Sequence, residues 1–247
     1  MVGQRINKRR IGRFLSIALF LCCFSLAGRA ETVLEGIMSL DPGGVDAYLQ
    51  DKYSDAFPRF LRDAQKGKVW GMYLVGQMLQ VGQGVPQNYA EANKWFRRAA
   101  EKGDAEAMAS LGKSYEDGLG VPVSIQESIK WYQGAAMKGS KTAMLTLGLM
   151  YANGRGVPQD YSIAARWFKS CAERGIHMCM VILGDYLKSG LGIPKDLVAA
   201  YAWFNLAASK PGGMGAGNRD QIARELSPEQ LAKAQELSSQ LQNGRGR

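Results

Sequence analysis

Hydrophobic and polar positions follow a helical rhythm that restarts every 36 residues. Between residues 105 and 115, Ala107, Met108, Leu111, Gly112 and Tyr115 recur at three- and four-residue steps, which places them on one face of a helix. Gly118 and Gly120 end that helix, because glycine accepts the left-handed conformation of a C-terminal cap. Pro122 cannot continue a helical ladder, and Ser124 is a favoured N-cap, so a second helix is predicted to start there. It carries Trp131, Tyr132 and Ala135-Ala136 and closes at Gly139. The predicted unit is helix, turn, helix.

The unit recurs four times. Pro86, Pro122, Pro158 and Pro194 stand 36 apart, as do Trp95, Trp131, Trp167 and Trp203, and likewise Met72, Met108, Met144 and Met180. Gly76, Gly112, Gly148 and Gly184 form another such column, and Gly84, Gly120, Gly156 and Gly192 a fifth. Asn88, Ser124, Asp160 and Asp196 hold the N-cap place, and Phe96, Tyr132, Phe168 and Phe204 follow the tryptophans. A fixed period in this range signals stacked supersecondary units that bury a continuous core. The mid-helix glycines cost about 1 kcal/mol each relative to alanine. They are therefore expected where backbones pack too closely for a side chain, with the tryptophan filling the space beside them.

The pattern Leu111-Gly112-x-x-Tyr115-x-x-Gly118-x-Gly120-Val121-Pro122, then Trp131 and Ala135-Ala136-x-x-Gly139, resembles the Sel1-like repeat, a relative of the tetratricopeptide repeat. The copy holding Gly154-Arg155-Gly156-Val157-Pro158-Gln159-Asp160-Tyr161 fits best, while Leu79 and Leu187 replace the tyrosine and Pro211 the final glycine. The resemblance implies an all-α, right-handed solenoid with repeats at 68–103, 104–139, 140–175 and 176–211. Phe60, Ala64 and Gly67 lie one period before Phe96, Ala100 and Gly103, so 31–67 reads as an N-terminal cap with a degenerate half-repeat. Residues 212–247 read as a C-terminal capping helix pair and tail, with a helix starting near Asn218 and a capping box at Ser227-Pro228-Glu229-Gln230.

Composition narrows the class. With 46% hydrophobic and 21% charged residues, the 247-residue chain is neither disordered nor a multi-span membrane protein. Six of its 31 basic residues, and no acid, fall in the first thirty positions, so the remainder carries 25 basic against 22 acidic residues. That balance removes the hint of nucleic-acid binding. Those thirty residues run from a basic cluster (Arg5 to Arg13) through an apolar stretch (Phe14 to Ala27) to Gly28-Arg29-Ala30, the order of a secretory signal peptide. The stretch is shorter than the roughly 20 residues of a membrane span. Export to the periplasm or beyond is expected, with an uncleaved anchor as the alternative. Phe20 and Leu21 lack the small residue that lipoprotein processing uses before a cysteine, so Cys22 and Cys23 are expected to leave with the signal.

Cys171 stands in the column of Ala99, Ala135 and Ala207, and Cys179 in that of Gly71, Ala107 and Ala143. Small residues in both columns imply close helices, compatible with the roughly 5.5–6 Å Cα separation of a disulfide, which an oxidising compartment permits. Bridges at this spacing in cysteine-rich Sel1-like proteins imply the same. Two buried thiols are the alternative.

Candidate chemistry is sparse. His177 is the only histidine, which excludes His-based triads and multi-His metal sites, and a Cys171/His177/Cys179 set matches no standard zinc spacing. No catalytic residue, metal or cofactor is expected. Gly82-Gln83-Gly84 is repeat punctuation, not a phosphate loop. Ser110-Leu111-Gly112-Lys113 matches the Ser-x-x-Lys of penicillin-recognising enzymes, and Lys141-Thr142-Ala143 faintly echoes their Lys-Thr-Gly. Two positions in four arise by chance. Cysteine-rich relatives described as penicillin-binding or β-lactamase proteins nevertheless make β-lactam or cell-wall activity the alternative.

The main expectation is an adaptor that binds a protein or peptide and regulates envelope signalling or assembly. In tetratricopeptide-type solenoids the first helix of each pair lines the binding side. The candidates are Tyr73 and Gln77, then Lys113 and Glu116, then Leu145, Leu149 and Ala152, then Ile182, Asp185 and Lys188. The last two groups, more apolar than an exposed face requires, are either a sticky patch or packing for the C-terminal helices.

Overall fold

The computed structural model describes residue 36 and residues 38–209 and 213–244. The expected signal segment, with Cys22 and Cys23, lies outside them, as does Pro211. Twelve helices and no strand occur among the described residues. They are α1 (Pro42–Leu49), α2 (Tyr53–Gln65), α3 (Val69–Val81), α4 (Tyr89–Glu101), α5 (Ala105–Asp117) and α6 (Ile125–Met137). Then come α7 (Lys141–Asn153), α8 (Tyr161–Glu173), α9 (His177–Ser189), α10 (Leu197–Ala208), α11 (Ala216–Glu225) and α12 (Pro228–Asn243). The chain forms two compact units, one running to Ala107 and including Leu119–Pro122, the other comprising Met108–Gly118 and the chain from Val123.

In the first unit Asn88 caps α4, its side-chain oxygen accepting the Glu91 N–H at 3.0 Å. Gly76 on α3 faces the ring of Phe96, where an added Cβ would lie 2.6 Å from the ring edge. The partner of the mid-helix glycine is thus an aromatic ring, not a neighbouring backbone, and the residue after the tryptophan fills the space. Backbone does crowd Gly71, whose added Cβ would stand 2.8 Å from the Ala64 nitrogen. Gly120 has φ +70° and lies against the Tyr89–Ala90 backbone, so its place in the turn requires both an absent side chain and left-handed freedom.

On the N-terminal flank, where a cap with a degenerate half-repeat was expected, the described residues hold two helices. α1 and α2 make a complete, if short, helix pair, and Gly44 approaches the Phe60 ring with 3.1 Å to an added Cβ. Position 40, where the glycine column falls, is Leu40, so column matching misses a glycine displaced by one helical turn.

In the second unit Ser124, Asp160 and Asp196 cap α6, α8 and α10 by accepting backbone N–H groups at 3.3, 2.9 and 2.9 Å. Gly112, Gly148 and Gly184 face Tyr132, Phe168 and Phe204, with 2.8, 2.5 and 2.7 Å to an added Cβ. Ser227 and Gln230 form the expected reciprocal capping box on α12. α11 and α12 both rest chiefly on α10. Fully buried Ile222 and Ala234 pack there against Ala200, Tyr201 and Phe204, closing the apolar end that a terminal repeat would expose.

Candidate interaction surface

The first helices place their candidate residues unequally. On α3, Tyr73 is half-buried and its hydroxyl accepts a hydrogen bond from Gln77 Nε2 at 2.8 Å. Its ring meets Trp70 edge-on and tilts against Phe96. Burial, reinforced by the charges of Glu106 and Asp104, pushes its hydroxyl well above the usual tyrosine range. The pair is a polar wall with its hydrogen bonding engaged.

On α5, Lys113 is exposed and ion-paired with Asp117 at 2.9 Å. The Glu116 side chain is only 7% exposed: it accepts from the Tyr132 hydroxyl at 2.9 Å and pairs with Arg155. Burial, and next the Glu116 charge, drive the Tyr132 hydroxyl strongly upward, so it stays a donor. The Glu116 carboxylate is thus engaged within the fold by Tyr132 and Arg155. Arg155 and Tyr132 escape a reading by candidate helix. The signal lay in columns that otherwise hold phenylalanine (at Tyr132) or Gln83, Leu119 and Leu191 (at Arg155).

Leu145, Ala152 and Ile182 pack against a cluster of Ala164, Ala165, Phe168 and Tyr186. They are half-buried beside that cluster, whereas Leu149 on α7 is 40% exposed. On α9, Asp185 accepts from Asn218 Nδ2 at 3.2 Å and Lys188 donates to Gln221 Oε1 at 2.9 Å, so α11 engages both. Desolvation raises the Asp185 carboxyl and Lys188 partly offsets it. Exposed apolar groups of this unit that were not among the candidates include Met178 and Met214, 36 residues apart.

Cys171 and Cys179 form a disulfide joining α8 to α9, with Cα atoms 5.8 Å apart and both residues fully buried. Their sulfurs are therefore not thiolate ligands to set beside His177. Among the described residues no group of three or more His, Cys, Asp or Glu is placed to hold a metal ion. Nor is any described helix long and apolar enough to cross a membrane. Lys113 of the Ser110/Lys113 motif is exposed and ion-paired with Asp117 at 2.9 Å.

The family model of the Sel1 repeat matches residues 71–104, 105–140, 142–176 and 177–211. The chain belongs to the Sel1 repeat family. Its matched repeats start within three residues of the boundaries read from the columns. A Sel1 repeat protein from Oxalobacter formigenes is similar at 30% identity and a TM-score of 0.62, over 73% of this chain and 71% of that one. A protective antigen of uropathogenic Escherichia coli strains, described as displaying an SLR fold, is 33% identical with a TM-score of 0.66 over 78% of this chain. The chain spans 41% of that antigen's length. No curated protein matches. Sel1 repeat proteins generally mediate protein–protein interaction on a scaffold that is typically non-catalytic.

Proposed function

We propose that the protein is an exported adaptor that holds a polypeptide partner in the cell envelope. The export half of this reading rests on the basic-then-apolar order of residues 1–30. The binding half is supported by the division of labour along the first helices. The repeat columns build the core, while the variable positions leave Leu149 and Met178 exposed in the second unit, at 40% and 43%. Exposed apolar side chains offer area that a partner can bury, and methionine adapts to irregular partners.

Affinity capture from the native envelope tests the reading, using the native protein beside Leu149→Glu/Met178→Glu. Both substitutions leave the clusters around Phe168 and Phe204 untouched. The expected result is a partner retained by the native protein and lost from the variant. Identical captures from both would remove these two side chains from the interaction. Recovery of the native chain from the cytoplasm, with residues 1–30 intact, would remove the envelope role.

A further inference from the structure

The first unit holds a second surface, at the end opposite in sequence to the α11/α12 seal. Two adjoining grooves flank Arg59 and Arg62 of α2, with volumes of about 500 and 490 Å³. The first is also lined by Asp41, Asp63, Lys66 and Lys68, the second by Asp46, Gln50, Lys52, Ser54 and Asp55.

The charges of the first groove do not cancel. The Asp63 carboxylate, 4% exposed, accepts the Asp41 N–H at 2.5 Å and pairs with Lys68 at 2.6 Å. Asp41 pairs with Arg59 at 2.9 Å. Both acids are thus committed to two of the four cations. Arg62 in the last turn of α2 and Lys66 at its C-cap remain, both exposed and lining the first groove, with no ion pair to a described residue. Lone surface cations are ordinarily solvated decoration. Here they stand at the lip of a concave space whose floor is already fixed by a buried carboxylate, and concave charged surfaces focus potential.

The shape selects among anions. A single inorganic ion fills little of either groove, and a flat headgroup layer meets only a rim. The shared Arg59–Arg62 ridge joins a cationic end to an end where the Lys52 ammonium stands beside amide, hydroxyl and carboxylate groups, which suits an extended chain of mixed character. We propose that these grooves are a docking track for an acidic peptide segment, with its carboxylates at Arg62 and Lys66 and its following residues running toward Gln50 and Ser54. The proposal rests on the reading that the protein binds polypeptides, and places a second contact away from Leu149 and Met178, in the first unit.

The test is fluorescence anisotropy on the full exported chain with a labelled hexaglutamate peptide at about 150 mM salt, where long-range steering is largely screened. Arg62→Glu/Lys66→Glu is compared with Lys94→Glu/Lys102→Glu, which makes the same charge change on exposed positions of α4 and its cap. The expected result is saturable binding that weakens at least about tenfold in the α2 variant and less than about twofold in the α4 variant, since specific charge-assisted contacts exceed a general field effect. Equal losses in both variants, or no binding by the native chain, overturn it. So does competition by inorganic phosphate or by phosphatidylglycerol vesicles at concentrations that match the peptide. Loss of envelope partners from Leu149→Glu/Met178→Glu with peptide binding intact separates the two surfaces, and failure of capture alone strikes the adaptor reading without touching the groove.

Discussion

The two ends of the described chain solve the problem of a terminal repeat in different ways. At the C-terminal end, α11 and α12 lie on α10, bury Ile222 and Ala234, and tie α9 through Lys188–Gln221 and Asp185–Asn218. At the N-terminal end, α1 is a single eight-residue helix, and the surface it makes with α2 is grooved and charged. A seal needs apolar burial and satisfied polar groups. A surface that keeps Arg62 and Lys66 in water has not been spent on closure. The second unit is also the one stapled by Cys171–Cys179, whereas the equivalent positions of the first hold Ala99 and Ala107.

The strongest way to break this contrast is to open the seal. Ile222→Ala removes a fully buried side chain among Tyr201, Phe204 and Ala234, and is expected to destabilise by about 2–4 kcal/mol in urea unfolding. A cost below about 1 kcal/mol would show that α11 is an ornament, because truncation in a packed core costs more than that. Next comes the staple. Cys171→Ala/Cys179→Ala is expected to cost about 2–3 kcal/mol on the chain-entropy account of a short loop. The converse variant, Ala99→Cys/Ala107→Cys, transfers the staple to the first unit, where both positions are fully buried. Mass spectrometry after oxidation should show a new bridge between 99 and 107. Free thiols under the same oxidation would mean that the two helix junctions differ in spacing despite sharing their columns.

How much of this was legible follows from what a column records. Asn88, Ser124, Asp160 and Asp196 were readable as caps because N-capping depends on one side chain and a backbone three residues away, and all four make the bond. The disulfide was readable as compatible with two small columns at one junction and as implied by the family resemblance, with two buried thiols as the alternative. The glycine column was seen but its partner was not. Periodicity shows that space is missing beside Gly76, and only the fold shows that Phe96 takes it. The candidate surface was the least legible. Leu145 and Ile182 look like Leu149 in sequence, yet the Phe168 cluster absorbs the first two and leaves the third exposed. Glu116 looked like a surface acid until Arg155 and Tyr132, distant in sequence, met it. Long-range pairings of single residues leave no period to read.

That triad sharpens the contrast at a smaller scale. Tyr132→Phe keeps the ring over Gly112 and removes the hydrogen bond to Glu116, for an expected loss of about 1–2 kcal/mol. The same variant tests the pH dependence. The Tyr132 hydroxyl is pushed up from its ordinary value of 10.0, mainly by burial, so above that pH the unfolded chain gives up the proton first. Stability is complete below pH 10.0 and falls as pH rises toward the folded value. Tyr132→Phe should flatten this alkaline decline in Tm. An unchanged slope would assign the decline to other tyrosines, of which Tyr73 in the first unit is also raised by burial.

The smallest expected effect is the one that most directly divides closure from display. If the N-terminal grooves are not part of what holds the fold together, Arg62→Glu/Lys66→Glu should shift unfolding by less than about 0.5 kcal/mol, as exposed substitutions away from buried networks do. The Asp41–Arg59 and Asp63–Lys68 pairs stay in place in that variant, because neither substituted residue takes part in them. Arg59→Gln gives the internal scale. It strands Asp41, whose carboxyl the Arg59 guanidinium holds below the usual range. That stabilisation is present at neutral pH and is lost as pH falls through the lowered value, so Arg59→Gln should cost stability at neutral pH and progressively less under acid. A larger cost for Arg62→Glu/Lys66→Glu than for Arg59→Gln would mean that the two unpaired cations support α2 itself, and that both ends of the chain are built as seals.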